Sequence, residues 1–211
     1  MIRVEGDLAR VERAAIVEAL QGHLQGTIFT TDLEYVRQRF ETVPWVRHAV
    51  VRRAWPDRLE VRIEEHVELA RWGTPEEQRL VNLQGELFSA ASGSDLPVFA
   101  GPSGSQGEVA KAYAEFSKLL QPLDLRPRAV MLSERGAWQI RLDSGLVLQL
   151  GRDLAKDNVQ ERLARFVAVY PRTLGNMKRR LDYVDLRYPG GFVLRVPGLQ
   201  RVEDARPRQK A

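Results

Sequence analysis

VPWVRHAVVRRAWPDRLEVRIEEHVELARW, the stretch Val43–Trp72, decides the fold. Leu59, Val61 and Ile63 alternate with Glu60, Arg62 and Glu64, the period of two expected of a half-buried strand. Ahead of them, Trp55-Pro56-Asp57-Arg58 suits a tight turn, because proline presets φ at the turn's second position and aspartate favours the third. The stretch reads as a β-hairpin and then a strand leaving in a new direction. It is scaffold, not catalytic chemistry.

On its N-terminal side, Ile2–Val4 reads as a short strand and Leu8 to Leu20 as a helix with Ile16, Ala19 and Leu20 on one face. A second helix is announced by a Thr31/Glu34 capping box, with Leu33, Val36 and Phe40 at helical spacing and Pro44 as its stop. The order β-α-α-β-β within about 65 residues makes a complete small domain. On the C-terminal side, short strands are expected at Leu69–Trp72, Gln78–Asn82 and Glu86–Ser89, then a Ser/Gly/Pro-rich loop from Ala90 to Gly107. Val109, Ala112, Tyr113, Phe116, Leu119 and Leu120 mark an amphipathic helix. Strands are expected next at Ala129–Ser133, Trp138–Leu142 and Leu146–Leu150. Asp153 then caps a helix whose Val159, Leu163, Phe166, Val167 and Tyr170 face inward. The last strands are Leu181–Tyr188 and Phe192–Val196, turning at Pro189-Gly190-Gly191, and the polar, basic remainder is expected to be disordered.

Composition narrows the function. The chain has 211 residues, 44% hydrophobic and 28% charged, with no cysteine, so disulfides and thiolate–zinc sites are excluded. The net charge of +4 comes largely from arginine, interleaved with acids. An anionic-surface binder built on Arg172, Lys178, Arg179 and Arg180 would want them more segregated. No apolar run is long enough to span a membrane, and Met1-Ile2-Arg3-Val4-Glu5-Gly6 lacks the apolar centre of a signal peptide. An abrupt start in a strand reads as a fragment whose missing segment holds the address.

Catalytic and metal constellations are not found. His23, His48 and His66 are scattered, Ser103 has no activating base nearby in sequence, and Glu64-Glu65 and Glu76-Glu77 are adjacent pairs. In a strand, adjacent side chains point to opposite faces, the wrong geometry for shared acid–base work. The reading is non-enzymatic, without cofactor or metal. Trp45, Trp55, Trp72 and Trp138 read as core or joint residues. The last strand is the best functional candidate on physical grounds. At a sheet edge nothing later in the chain covers its N–H and C=O groups, which a partner strand or only solvent would then meet. Phe192, Leu194 and Val196 would line one face of it, Val193 and Arg195 the other.

The Val43–Trp72 stretch, with RLVNLQGELF, LARFVAVYP and YVDLRY after it, resembles the FtsQ/DivIB family of bacterial cell-division proteins over nearly the whole chain. The resemblance implies an α+β fold: a POTRA domain (β-α-α-β-β) at residues 1–67, then a β-domain at 68–197. That second domain would hold a mixed or antiparallel sheet and two packed helices, ahead of a disordered tail at 198–211. It also implies a non-enzymatic divisome scaffold, anchored in the inner membrane by an N-terminal helix, with this portion in the periplasm at the septum. FtsB, with FtsL, would bind by strand addition at the last β-strand, and FtsW and FtsI would be reached indirectly. Carried over by motif, the partner-binding residues are Arg135, Arg187 and Tyr188, with Gly191, Phe192, Val193, Leu194, Arg195 and Val196 along the edge. The bulk of Phe192-Val193-Leu194 departs from the small residues common there, and the basic tail (Arg201, Arg206, Arg208, Lys210) has no assigned role. A different reading keeps the POTRA domain and makes it a polypeptide-binding module of an outer-membrane assembly or secretion protein.

Overall fold

The computed structural model describes residues 2–6, 8–22, 27, 29–154, 157–173, 175, 181–188 and 190–195. By contact density the chain forms two compact units, Met1–Ala112 and Tyr113–Ala211.

In the first unit, β1 (Ile2–Glu5), α1 (Arg13–Leu20), α2 (Leu33–Glu41), β2 (Val46–Ala54) and β3 (Arg58–Glu65) keep the expected β-α-α-β-β order. The sheet runs β1-β3-β2, with β1 parallel to β3 and the β2–β3 hairpin antiparallel from Ala54↔Arg58 to Val46↔Glu65. The alternation holds: Leu59, Val61 and Ile63 are buried, and Val61 and Ile63 share a core with Val36 and Phe40 of α2 and Ile16 and Leu20 of α1.

Three local expectations need correction. Helix α1 starts only at Arg13, because the preceding backbone is tied to β3: the Glu65 carboxylate accepts from the amides of Ala9, Arg10 and Val11. The cap of α2 is Asp32, whose Oδ1 accepts from the amides of Glu34 (2.9 Å) and Tyr35 (3.2 Å), while Thr31 donates its hydroxyl back to Thr27 O. Aspartate one residue later wins because a carboxylate is the better acceptor facing the helix N-terminus. Trp55 is not a core residue. It sits in the loop at 55–57 and is 88% exposed.

The same unit continues through β4 (Glu68–Trp72), β5 (Arg79–Asn82), β6 (Leu87–Ser89) and β7 (Val98–Ala100), ordered β7-β4-β5-β6. Strand β7 lies inside the expected loop and pairs parallel with β4 through Arg71↔Val98 and Trp72↔Phe99. Its three residues stand among Ser, Gly and Pro, too short for periodicity to reveal. Leu80 and Ala90 join the core of the first sheet, and Phe88 packs edge-on against Trp45 at 5.3 Å.

The second unit holds β8 (Pro127–Leu132), β9 (Ala137–Leu142), β10 (Val147–Arg152), α4 (Val159–Val169), β11 (Tyr183–Asp185) and β12 (Val193–Arg195), in the order β12-β11-β10-β9-β8. The C-terminal part of α3 (Gln106–Leu120) belongs to it. Val130, Trp138, Ile140, Leu148, Leu150 and Val184 are buried on the face that also buries Phe116, Leu163 and Phe166 of the helices. Helix α4 is capped by Asn158 rather than by Asp153, although Asp153 also accepts from the Val159 amide at 2.7 Å. Among the described residues no helix is long and apolar enough to cross a membrane. Lys178, Arg179, Arg180 and the expected tail lie outside the described residues.

Candidate functional site

Strand β12 is the end strand of its sheet: among the described residues it pairs only with β11. Its register is Tyr183↔Arg195, Val184↔Leu194 and Asp185↔Val193. Which of its backbone groups are open is set by the other side of β11. There, Val147 N–H donates to Asp182 O (3.0 Å) and Leu186 N–H donates to Gln149 O (2.9 Å), which brackets Val184 and turns its backbone groups to β10, while at the far end Asp182 N–H donates to Arg195 O of β12 at 3.3 Å. Tyr183 and Asp185 therefore direct theirs to β12, because backbone direction alternates residue by residue along a strand. Their partners Arg195 and Val193 bond inward. The N–H and C=O of Leu194 face the open edge.

The β12 side chains are exposed, Val193 at 52% and Leu194 at 37%. Just before them, Phe192 packs edge-to-face on Phe166 of α4, with centroids 6.1 Å apart. The expected split, with Phe192 and Leu194 on the helix side and Val193 and Arg195 opposite, fits this placement. Val196 lies outside the described residues. Gly191 precedes the strand, its N–H reaching toward Tyr188 O at 3.5 Å.

Tyr188 is 52% exposed. Arg187 is exposed too, but its guanidinium is already engaged. Nε and Nη2 donate to the Asp185 carboxylate at 2.9 and 2.6 Å, and the Arg187 amide donates to Asp185 Oδ1 at 3.1 Å. Asp185 is only 4% exposed. The Arg187 hydrogen bonds hold its carboxyl below the usual carboxylate range, against the upward push of burial. Burial and the Asp185 charge together raise the neighbouring Tyr183 phenol. The period-two spacing of Tyr183, Asp185 and Arg187 was visible in the sequence. That Asp185 would occupy the arginine was not.

Arg135 sits exposed in the β8–β9 turn, where Gly136 N–H donates to Ser133 O at 2.8 Å. Register puts it at the same end of the sheet as Arg187: β9 begins opposite the last residue of β10 (Ala137↔Arg152), and β11 runs parallel to β10. Two strand spacings of about 4.8 Å separate β9 from β11. The two arginines and Tyr188 therefore gather at the end of the sheet where β12 begins.

Two residues at this site were missed. Arg162 of α4 is 1% exposed, and Gly151 lies at an irregularity in the β10 ladder between Gln149 and Gly151. Arg162 falls three residues after Val159 and four before Phe166, squarely on the apolar stripe, which was the available signal. Of the histidines, His48 bonds Glu41 at 2.9 Å and His66 bonds Asn82 at 2.9 Å, while His23 lies outside the described residues.

Comparison with known proteins agrees with this architecture. Residues 1–66 match the FtsQ-type POTRA domain model, and residues 70–187 match the model of the C-terminal region of cell division protein FtsQ/DivIB. A cell division protein FtsQ of Burkholderia pseudomallei is 40% identical over 206 residues, covering 96% of this chain and 81% of that protein. One of Nitrosospira multiformis is 43% identical over 190 residues, covering 90% and 78%. One of Neisseria gonorrhoeae is 32% identical over 195 residues, covering 92% and 78%. With both family models matched in order across most of its length, the chain belongs to the FtsQ/DivIB family of bacterial cell-division proteins.

Proposed function

We propose that this chain is a non-enzymatic scaffold of the divisome that captures a strand of FtsB, with FtsL alongside, on the open edge of β12. The observation that carries this reading is the Leu194 backbone, whose N–H and C=O face outward from the last strand. An added strand would satisfy both, and backbone pairing of this kind needs no particular side chain. Residues 1–67 serve as the POTRA domain and 68–197 as the β-domain. Arg135 and Arg187 meet carboxylates of the partner at the end of the sheet where β12 begins, in charge-assisted bonds. Because Asp185 fills the Nε side of Arg187, a partner carboxylate meets the outer end of that guanidinium. Tyr188 closes the site. The full-length protein is held in the inner membrane with this portion in the periplasm at the septum, and through FtsB and FtsL it links early assembly to FtsW and FtsI.

The test is calorimetric titration with the C-terminal periplasmic segment of the FtsB homologue from the same genome, beside Tyr188→Ala. Binding by the parent chain that the substitution abolishes supports the reading. Equal binding by both removes Tyr188 from the site, and no binding by the parent chain, with or without the FtsL homologue, removes the edge.

A further inference from the structure

Helix α4 reaches β10, beside Arg187, through the buried side chain of Arg162. The Arg162 guanidinium donates to the carbonyls on either side of Gly151: Nη1 to Leu150 O, and Nη2 to Arg152 O at 2.7 Å. Its Nε donates to Asp157 Oδ2 at 2.8 Å, and Nη2 also meets Asp157 O. Gly151 between those carbonyls has φ +76°, a conformation that side chains on Cβ disfavour. The position a Cβ would take at Gly151 is also occupied. A Cβ there would lie 2.8 Å from Cγ and 3.0 Å from Cδ of Arg187, and 3.4 Å from Nη1 of Arg162. The aliphatic stem of Arg187 thus lies directly on the Gly151 backbone, with its head held by Asp185. A bulge bends its strand and re-aims what packs on it.

We propose that Gly151 and Arg162 are positioning residues for Arg187: the glycine is the seat of its stem, and the guanidinium of α4 fixes that seat by holding the two flanking carbonyls. The inference rests on the docking role proposed for Arg187. Lysine at 162 would keep the charge but lose the fork, since one ammonium cannot reach two carbonyls and a carboxylate in a fixed plane. Alanine at 162 would strip the Leu150 and Arg152 carbonyls of this buried donor and perturb the fold itself, so the decisive variants are at Gly151.

The experiment compares the parent chain, Gly151→Ala, Gly151→Asn, Arg187→Ala and Gly151→Ala/Arg187→Ala. Each is titrated with the FtsB-homologue segment and examined by ¹H–¹⁵N NMR at the arginine Nε–H. Asparagine tolerates positive φ better than alanine, so it separates eviction of Arg187 from backbone strain. The expected result is a loss of about tenfold in affinity, ~1.4 kcal/mol, in both Gly151 variants. The double variant should bind no more weakly than Arg187→Ala, and the Arg187 Nε–H signal should shift in both Gly151 variants. Multiplied losses in the double variant, or parent-like affinity in the Gly151 variants, would overturn the inference. Parent-like binding by Arg187→Ala sinks the docking reading and the functional half of this one. An unchanged Nε–H signal in the Gly151 variants sinks the seat itself.

Discussion

Replacing Leu194 by proline removes one backbone donor, and the register decides whose bond is lost. The Leu194 N–H faces away from β11, so the β11–β12 ladder keeps its inward bonds at Val193 and Arg195. Proline is tolerated on an edge strand when the missing N–H would face solvent. The free protein should therefore unfold at nearly the parent temperature. Bound, the partner's opposing carbonyl loses its donor and is buried unpaired, at a cost of roughly 1–3 kcal/mol. That corresponds to about 5- to 150-fold in Kd. Leu194→Ala supplies the side-chain control, since it keeps the N–H and should weaken binding far less. Val193→Pro is the mirror experiment: it removes an inward donor and should loosen β12 before any partner is added. Calorimetric titration with thermal unfolding of all three variants reads both quantities. Leu194→Pro binding as tightly as the parent chain, with its fold intact, would refute strand addition at this edge. A Leu194→Pro variant that unfolds early while Val193→Pro does not would refute the assigned bond directions.

The charge network and the core set other outcomes. Arg187→Ala should destabilise more than Tyr188→Ala, because it strips the nearly buried Asp185 of its cation; solvent screening on the exposed arginine keeps the loss to about 1 kcal/mol or less. As Asp185 is held below its ordinary 3.8, that difference should be full above pH 3.8 and fade as pH falls through the depressed value, readable in urea titrations. The surroundings of His66 favour the neutral ring: Asn82 Oδ1 accepts from the Gln84 and Glu86 amides, which leaves Nδ2 facing His66 Nδ1 as a donor. Burial lowers its pKa from 6.5, with Arg47 adding and the Glu86 and Glu64 charges opposing. Below pH 6.5 the unfolded chain takes up a proton that the folded one resists, so stability should fall there. His66→Gln, which keeps an acceptor, should lose that slope. Trp45→Ala, in the core beside Phe88, should cost ~3–5 kcal/mol, whereas Trp55→Ala at the exposed hairpin loop should stay within about 0.5 kcal/mol by denaturant unfolding.

The hairpin was legible because its information is local: alternation at Leu59, Val61 and Ile63 fixes which face is buried, whatever lies beyond. The same holds for α2 and α4, whose apolar stripes Val36–Phe40 and Val159–Leu163–Phe166 are buried as expected. Strand β7 escaped because three residues carry no period, and its identity comes from pairing with β4 rather than from Val98–Ala100. Trp55 misled because tryptophan is usually buried, while a hairpin tip leaves nothing to pack against it.

By itself the sequence determined the order of elements apart from β7, the hydrophobic faces, the family resemblance and the last strand as an edge candidate. All of these depend on residues close along the chain or on a motif kept intact. Tertiary structure alone decided that Leu194 offers its backbone outward, because that depends on how β11 bonds β10 on its other side. It alone decided that Arg187 is held by Asp185 and laid on Gly151, thirty-six positions earlier in number, beneath a guanidinium from α4. Periodicity can mark a side chain as inside or outside, but a hydrogen-bond partner is chosen by the element that folding brings alongside.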